Sequence, residues 1–295
     1  MQLFVRLLGI FCLALQPNLC QAMQPTGSYI DMINNKYVWS AAAAAATATA
    51  AYFIKKHFFP STKIAIVNFD SPIIQTRELM NTLLYIKDTD TIAGALLIVQ
   101  CGGGAPGQSE ILYHLVHDIA IRKPIVVQVV DHAASGGYLM IAPATAIVAP
   151  ALSSVGCIGV LRSVIKVFPE KFEGEDSSGT MEVYPFSAGQ YKSIHNPNAP
   201  LTDDDKARIQ HETDAMYDAF LQLVAQARNL DVDQKEFWAE GKCFSGLEAL
   251  NLHLIDYIGG INTALGVLQQ ELVKKGCRID NLEFIKFSIT DANHA

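Results

Sequence analysis

Closely spaced cysteine pairs are missing from this sequence. Its six cysteines, Cys12, Cys20, Cys101, Cys157, Cys243 and Cys277, form no CxxC motif, so neither a zinc knuckle nor a thioredoxin-like centre is indicated. Charge is scarce as well. Only 17% of residues are Asp, Glu, Lys or Arg while 50% are hydrophobic, an apolar balance for a freely soluble enzyme. The formal net charge is −7 and no basic stripe with interleaved aromatics occurs, which argues against a nucleic-acid partner. Phosphate-cradling patterns are also lacking: no P-loop segment and no well-spaced GxGxxG is present, and no internal repeat is visible.

Two N-terminal segments bear on membranes. In Met1 to Ala22, Arg6 precedes the apolar run Leu7 to Leu15, then Pro17 and the small-residue ending Cys20-Gln21-Ala22. That is the layout of a signal peptide or signal-anchor, with an ordinary hydrophobic helix as the alternative. Val38 to Ile54 is an uncharged, alanine-rich stretch followed by Lys55-Lys56. Its length is at the lower limit for crossing an apolar core of about 30 Å, with Trp39 and Tyr52 as interface anchors. The alternative is a surface or linker helix. By the charge rule, Lys55-Lys56 would put the following domain on the cytoplasmic side.

From residue 61 the pattern changes to strand–helix alternation. Lys63 to Phe69, Ala93 to Val99, Ile125 to Val130 and Ala146 to Val148 are short apolar runs rich in β-branched residues, which predicts buried strands. Helical spacing follows the first at Leu79, Leu83 and Ile86, and a helix opened at Ser109 follows the second. Glu170 to Thr180 reads as an exposed loop. Thr202 followed by three aspartates starts a helix whose apolar face runs through Ile209, Met216, Phe220, Val224 and Ala227. The expected organisation is an α/β domain over 61–275 with a largely parallel sheet and flanking helices, followed by a C-terminal tail over 276–295.

Glycine-rich turns follow the buried strands, where ligand sites of open α/β sheets form. Ser135 leads Gly136-Gly137 into an apolar helix, so its hydroxyl sits where backbone donors favour negative charge. On local sequence alone it reads first as a helix cap. Gly102-Gly103-Gly104 offers N–H groups to an oxyanion, with a flexible turn or a phosphate cradle as alternatives. A serine nucleophile needs a base. His132, His195 and Lys192 are candidates, a lysine qualifying only where burial lowers its pKa. The residues alone leave the base unassigned.

Four motifs together resemble the SppA/SohB signal peptide peptidases. The nucleophile region runs from Asp131-His132-Ala133-Ala134-Ser135-Gly136-Gly137-Tyr138 through Ile147-Val148-Ala149 to Ser154-Val155-Gly156-Cys157-Ile158-Gly159-Val160. Gly189-Gln190-Tyr191-Lys192-Ser193 matches the general-base motif. Gly241 to Leu250 and Asp256-Tyr257-Ile258-Gly259-Gly260 resemble the C-terminal segment.

The resemblance implies a ClpP/crotonase-like α/β fold with repeated β-β-α-type units. It implies a Ser–Lys dyad in which Ser135 attacks the peptide carbonyl and uncharged Lys192 takes its proton. Gly103 or Gly104, with Gly136, would hold the oxyanion, and Ser154 and Ser193 would support Lys192. This chain has Cys101-Gly102-Gly103-Gly104 where the family pattern is closer to Ser-Pro-Gly-Gly, which leaves the choice between the two glycines open.

Remnant signal peptides or other membrane-derived and unfolded peptides are the implied substrates. The implied assembly is a homo-oligomeric ring in which neighbouring subunits can contribute to one site. The implied location is the bacterial inner membrane with the catalytic domain on the extracytoplasmic side, against the Lys55-Lys56 signal. No metal or other cofactor is called for. Two further functions compete: a catalytically inactive, ring-forming peptide-binding or membrane scaffold of the same fold, and a crotonase-like acyl-CoA enzyme. The second of these would need an acidic catalytic pair that cannot be pointed to in the sequence.

Overall fold

The computed structural model describes residues 42–52, 61–165, 187–196 and 199–289. The stretch 42–52 is a helix, belonging to a compact unit separate from the one that starts at Ser61. It covers part of the expected span Val38–Ile54. The segment Met1–Ala22 and the loop Glu170–Thr180 lie outside the described residues. No helix among the described residues is long and apolar enough to cross a membrane.

In the larger unit, β1 (Thr62–Asp70), β2 (Ile92–Cys101) and β3 (Ile125–Ala134) pair in parallel, joined by α1 (Arg77–Asp88) and α2 (Pro106–Arg122). β4 (Ala146–Ala149) and β5 (Ser154–Gly156) both add in parallel to β3, at its start and its end respectively. β6 (Cys243–Ser245) runs antiparallel to β5 at one edge, and β7 (Tyr257–Ile258) extends β4. The main strand order is β6-β5-β3-β2-β1-β8, with β8 (Leu282–Ile289) parallel to β1 at the far edge. The sheet thus reaches past residue 275 into the expected tail: β8 alternates apolar and polar residues, as a half-covered edge strand does.

The central strands read as continuous apolar runs because both faces are covered. One face carries Ala65, Val67, Leu97 and Val127 against Leu79, Leu83 and Ile86 of α1 and Leu112, Val116 and Ile119 of α2. The other carries Ile64, Leu96, Val126 and Val148 against Ala264, Leu268 and Leu272 of the helix Ile261–Lys274. Helix α2 opens at Pro106 rather than at Ser109, since proline is pre-shaped for a first helical turn.

α3 (Gly136–Ile141) is wholly buried behind Ser135. α4 (Asp203–Arg228) begins with Thr202, whose Oγ1 accepts the Asp205 N–H while the Asp205 carboxylate accepts the Thr202 N–H. Only its C-terminal half buries side chains, Phe220, Leu221, Val224 and Ala225; Met216 on the expected apolar face is exposed.

Candidate active site

β3 ends at Ala134 and α3 starts at Gly136, so Ser135 alone makes the strand-to-helix turn. It does so with φ 52° and ψ −128°, left-handed territory that costs a non-glycine residue about 1–3 kcal/mol. Surrounding bonds hold it there. Its N–H donates to Gly156 O (2.8 Å), and its carbonyl accepts the N–H groups of Tyr138 and Leu139 (both 3.0 Å). The Ser135 side chain does not cap α3. A cap would tie the hydroxyl to the backbone, whereas here it faces open cavities.

The two glycines that follow the serine are steric requirements. A Cβ on Gly136 would lie 2.2 Å from Ser109 Oγ, and one on Gly137 would lie 2.6 Å from Cys101 O. Across the turn after β2, Gly103 (φ 105°) passes so close that a Cβ would sit 2.8 Å from Ser135 Cβ. Gly104 packs on the Ile73 carbonyl through a bridge in which Ile73 N–H donates to Gly103 O and Ala105 N–H donates to Ile73 O.

That arrangement separates the three expected oxyanion glycines. Gly103 N–H donates to Cys101 Sγ (3.4 Å) and is used up. Among the described residues no acceptor is paired with the N–H of Gly104 or Gly136, and both residues line a cavity together with Ser135. This cavity, about 540 Å³, has Ser109, Leu139 and Phe220 among its walls. A second cavity of about 530 Å³ is also lined by Ser135, with Cys157, Asp214, Tyr217 and Glu240 among its walls.

Lys192 is placed elsewhere. It is exposed in the turn 187–196, where its N–H donates to Gly189 O (3.1 Å), and it lines neither cavity. The turn is tied to the start of α4: Gln190 Nε2 and the Tyr191 hydroxyl both donate to Asp204 Oδ2. Ser193 shares this exposed turn. Ser154 lies in β5 opposite His132 and Ser245, outside both cavities. The structure therefore brings Ser135, Gly103, Gly104 and Gly136 together and leaves Lys192, Ser154 and Ser193 out of that group.

The alternative bases are no closer to the role. His132 Nδ1 lies 3.4 Å from its neighbour Asp131 Oδ2, and its Nε2 faces Gly102; His195 is exposed in the turn with Lys192.

Sequence reasoning missed Ser109 as a site residue. It is fully buried on α2, with its hydroxyl donating back to Ala105 O, and its position beside Gly136 exists only through helix packing. It also missed Cys157, left-handed at φ 52°, for which the flanking Gly156 and Gly159 were the available signal. Behind Ser135, fully buried Tyr138 donates its hydroxyl to Leu254 O (2.8 Å), and burial pushes its pKa well up. Next to it Arg228 makes a two-pronged bond to Asp256, which also accepts the Ile147 N–H.

A largely parallel α/β sheet with a strained serine at a carboxyl strand end defines the class of this site. The chain belongs to Peptidase family S49, matched over residues 117–275, a span holding both Ser135 and Lys192. It is 32% identical over 73% of its length to a Methanocaldococcus jannaschii protein provisionally named a protease, and 29% identical over 73% to Protease 4 of Haemophilus influenzae. It spans 66% of the first relative and 36% of the second. A solved structure of a mutant 1510-N membrane-bound stomatin-specific protease aligns at 14% identity and TM-score 0.49, covering 79% of this chain and 100% of that one.

Proposed function

We propose that this chain is a serine endopeptidase in which Ser135 is the nucleophile and Lys192 of a neighbouring copy is the base. One observation carries the reading: a strained serine at a strand–helix turn, opening on a cavity that two acceptor-free N–H groups also line. Ser135 Oγ attacks the scissile carbonyl, and the N–H groups of Gly104 and Gly136 receive the developing oxyanion. The lysine takes the serine proton and passes it to the leaving amine; water then hydrolyses the acyl-enzyme by the reverse path.

Lys192 is exposed on its own chain and is not among the residues lining the serine cavities, which is why the dyad is assigned to two subunits of a homo-oligomeric ring. Ser193 travels with that lysine as its supporting residue, and Ser154 supports from the serine side. The substrates are extended peptides, remnant signal peptides among them, lying across the apolar cavity. Attachment to a membrane is assigned to Met1–Ala22 or Val38–Ile54, with the catalytic unit on the extracytoplasmic side.

Mixing two dead variants tests this. Ser135→Ala and Lys192→Ala should each lose peptide cleavage while remaining folded and assembled, and mixed oligomers of the two should regain part of it. Full cleavage by either single variant, or mixed oligomers that stay silent, would reject the reading. The separation of Lys192 from Ser135 within one chain also suits the second reading, an inactive peptide-binding scaffold. Failure of a fluorophosphonate to label wild-type Ser135 would favour that scaffold.

A further inference from the structure

Cys157 and Cys243 meet where β5 joins the edge strand β6. In that antiparallel ladder Gly156 pairs with Cys243, and Cys157 N–H donates to Lys242 O at 2.7 Å. Regular pleating would send residues 156 and 157 to opposite faces. The left-handed conformation of Cys157 (φ 52°) breaks the pleat, and its thiol is close enough to Cys243 to feel it electrostatically. Both are free cysteines; Cys243 is exposed and Cys157 half-buried. Cys157 also lines the second cavity with Ser135, and the neighbouring Gly156 carbonyl is the acceptor that holds the Ser135 N–H.

We propose that Cys157 and Cys243 are a modification site, oxidised by hydrogen peroxide to a disulfide that disarms Ser135. The exposed Cys243 reacts first: its thiolate attacks one peroxide oxygen, the O–O bond breaks, and a sulfenic acid and one water result. Cys157 sulfur then attacks the Cys243 sulfur, forming S–S and releasing the sulfenic oxygen as a second water. Two sulfurs are oxidised and one peroxide is reduced. Burial, and then the adjacent Cys243, hold the Cys157 thiol above its ordinary pKa, which leaves the first attack on peroxide to Cys243.

A disulfide needs its Cβ atoms about 3.8 Å apart and its sulfurs about 2 Å apart, whereas both thiols are free and unbonded here. Closing that gap draws Cys157 toward β6 and takes the Gly156 carbonyl with it. The left-handed turn at Ser135 depends on that carbonyl, so the nucleophile loses its pose. The thiol chemistry stands independently of the peptidase reading; its effect on Ser135 rests on that reading.

The test treats the full chain with hydrogen peroxide, alkylates remaining thiols after unfolding, and maps the digest by mass. Peptides containing Cys157 and Cys243 should appear cross-linked and lighter by two hydrogen atoms, and fluorophosphonate labelling of Ser135 should slow by at least about tenfold. Dithiothreitol should restore both. Cys243→Ala should label at the wild-type rate and keep that rate after peroxide. Complete alkylation of both thiols after peroxide overturns the proposal, as does a cross-link with unchanged labelling. A wild-type chain that never labels, yet still cross-links, instead removes the peptidase reading and leaves the thiol site standing.

Discussion

Replacing Gly104 by alanine probes packing and chemistry at the same atom. The new Cβ would lie 2.2 Å from Ile73 O, 2.7 Å from its carbonyl carbon and 2.9 Å from its Cα, all backbone atoms that no rotamer change can move away. The bridge must open, losing Ile73 N–H to Gly103 O (2.9 Å) and Ala105 N–H to Ile73 O (2.7 Å). Each bond contributes about 1 kcal/mol, and the positive φ adds about 1–2 kcal/mol for alanine, so destabilisation of about 3–4 kcal/mol is expected. In a domain of this size that lowers Tm by roughly 2–4 °C per kcal/mol. Labelling of Ser135 should slow by about 10²–10³-fold, the effect of losing one oxyanion donor. Urea unfolding and a fluorophosphonate time course measure the two effects separately. An unchanged unfolding midpoint would refute the packing argument. Lost stability with wild-type labelling would refute the role of the Gly104 N–H.

Two further outcomes test the scaffold away from the nucleophile. Arg228→Met leaves the Asp256 carboxylate and the His253 carbonyl without their partner; with the arginine side chain 8% exposed, a loss of about 3 kcal/mol is expected in thermal melts. A melt within 1 °C of wild type, against the roughly 6–12 °C drop this implies, would contradict it. Gly266→Ala lies inside the helix Ile261–Lys274 with nothing within 4 Å of the added Cβ, so it should stabilise by about 0.5–1 kcal/mol and leave labelling unchanged. A destabilised variant would show that the helix is more tightly packed there than its geometry implies.

The structure corrects the sequence reading at particular residues. Thr202 was legible as a helix cap because capping is local: a hydroxyl and a carboxylate three residues apart suffice. Ser135 was readable either as a cap or as a nucleophile, since both need the same strand–serine–glycine string. The structure shows only that the side chain does not cap, in a backbone conformation held by the Gly156 carbonyl of a neighbouring strand. The candidate oxyanion glycines are told apart in the same way. Gly103 and Gly104 are indistinguishable in the string, and the contacts made by Cys101 and Ile73 tell them apart. β8 escaped notice because a half-exposed edge strand lacks the unbroken apolar run that announced β1 to β3.

What the sequence by itself determined is the layered α/β architecture and the turns where chemistry could occur. Apolar runs buried on both faces, helical spacing and glycine-rich strand ends are written in residue order and need no partner to be read. Tertiary structure alone decided which N–H groups stay free beside Ser135, which two of the scattered cysteines meet, and that Lys192 lies apart from the serine of its own chain. Each of those depends on where distant segments stop against one another, and steric contact between residues tens of positions apart leaves no periodic trace in the chain.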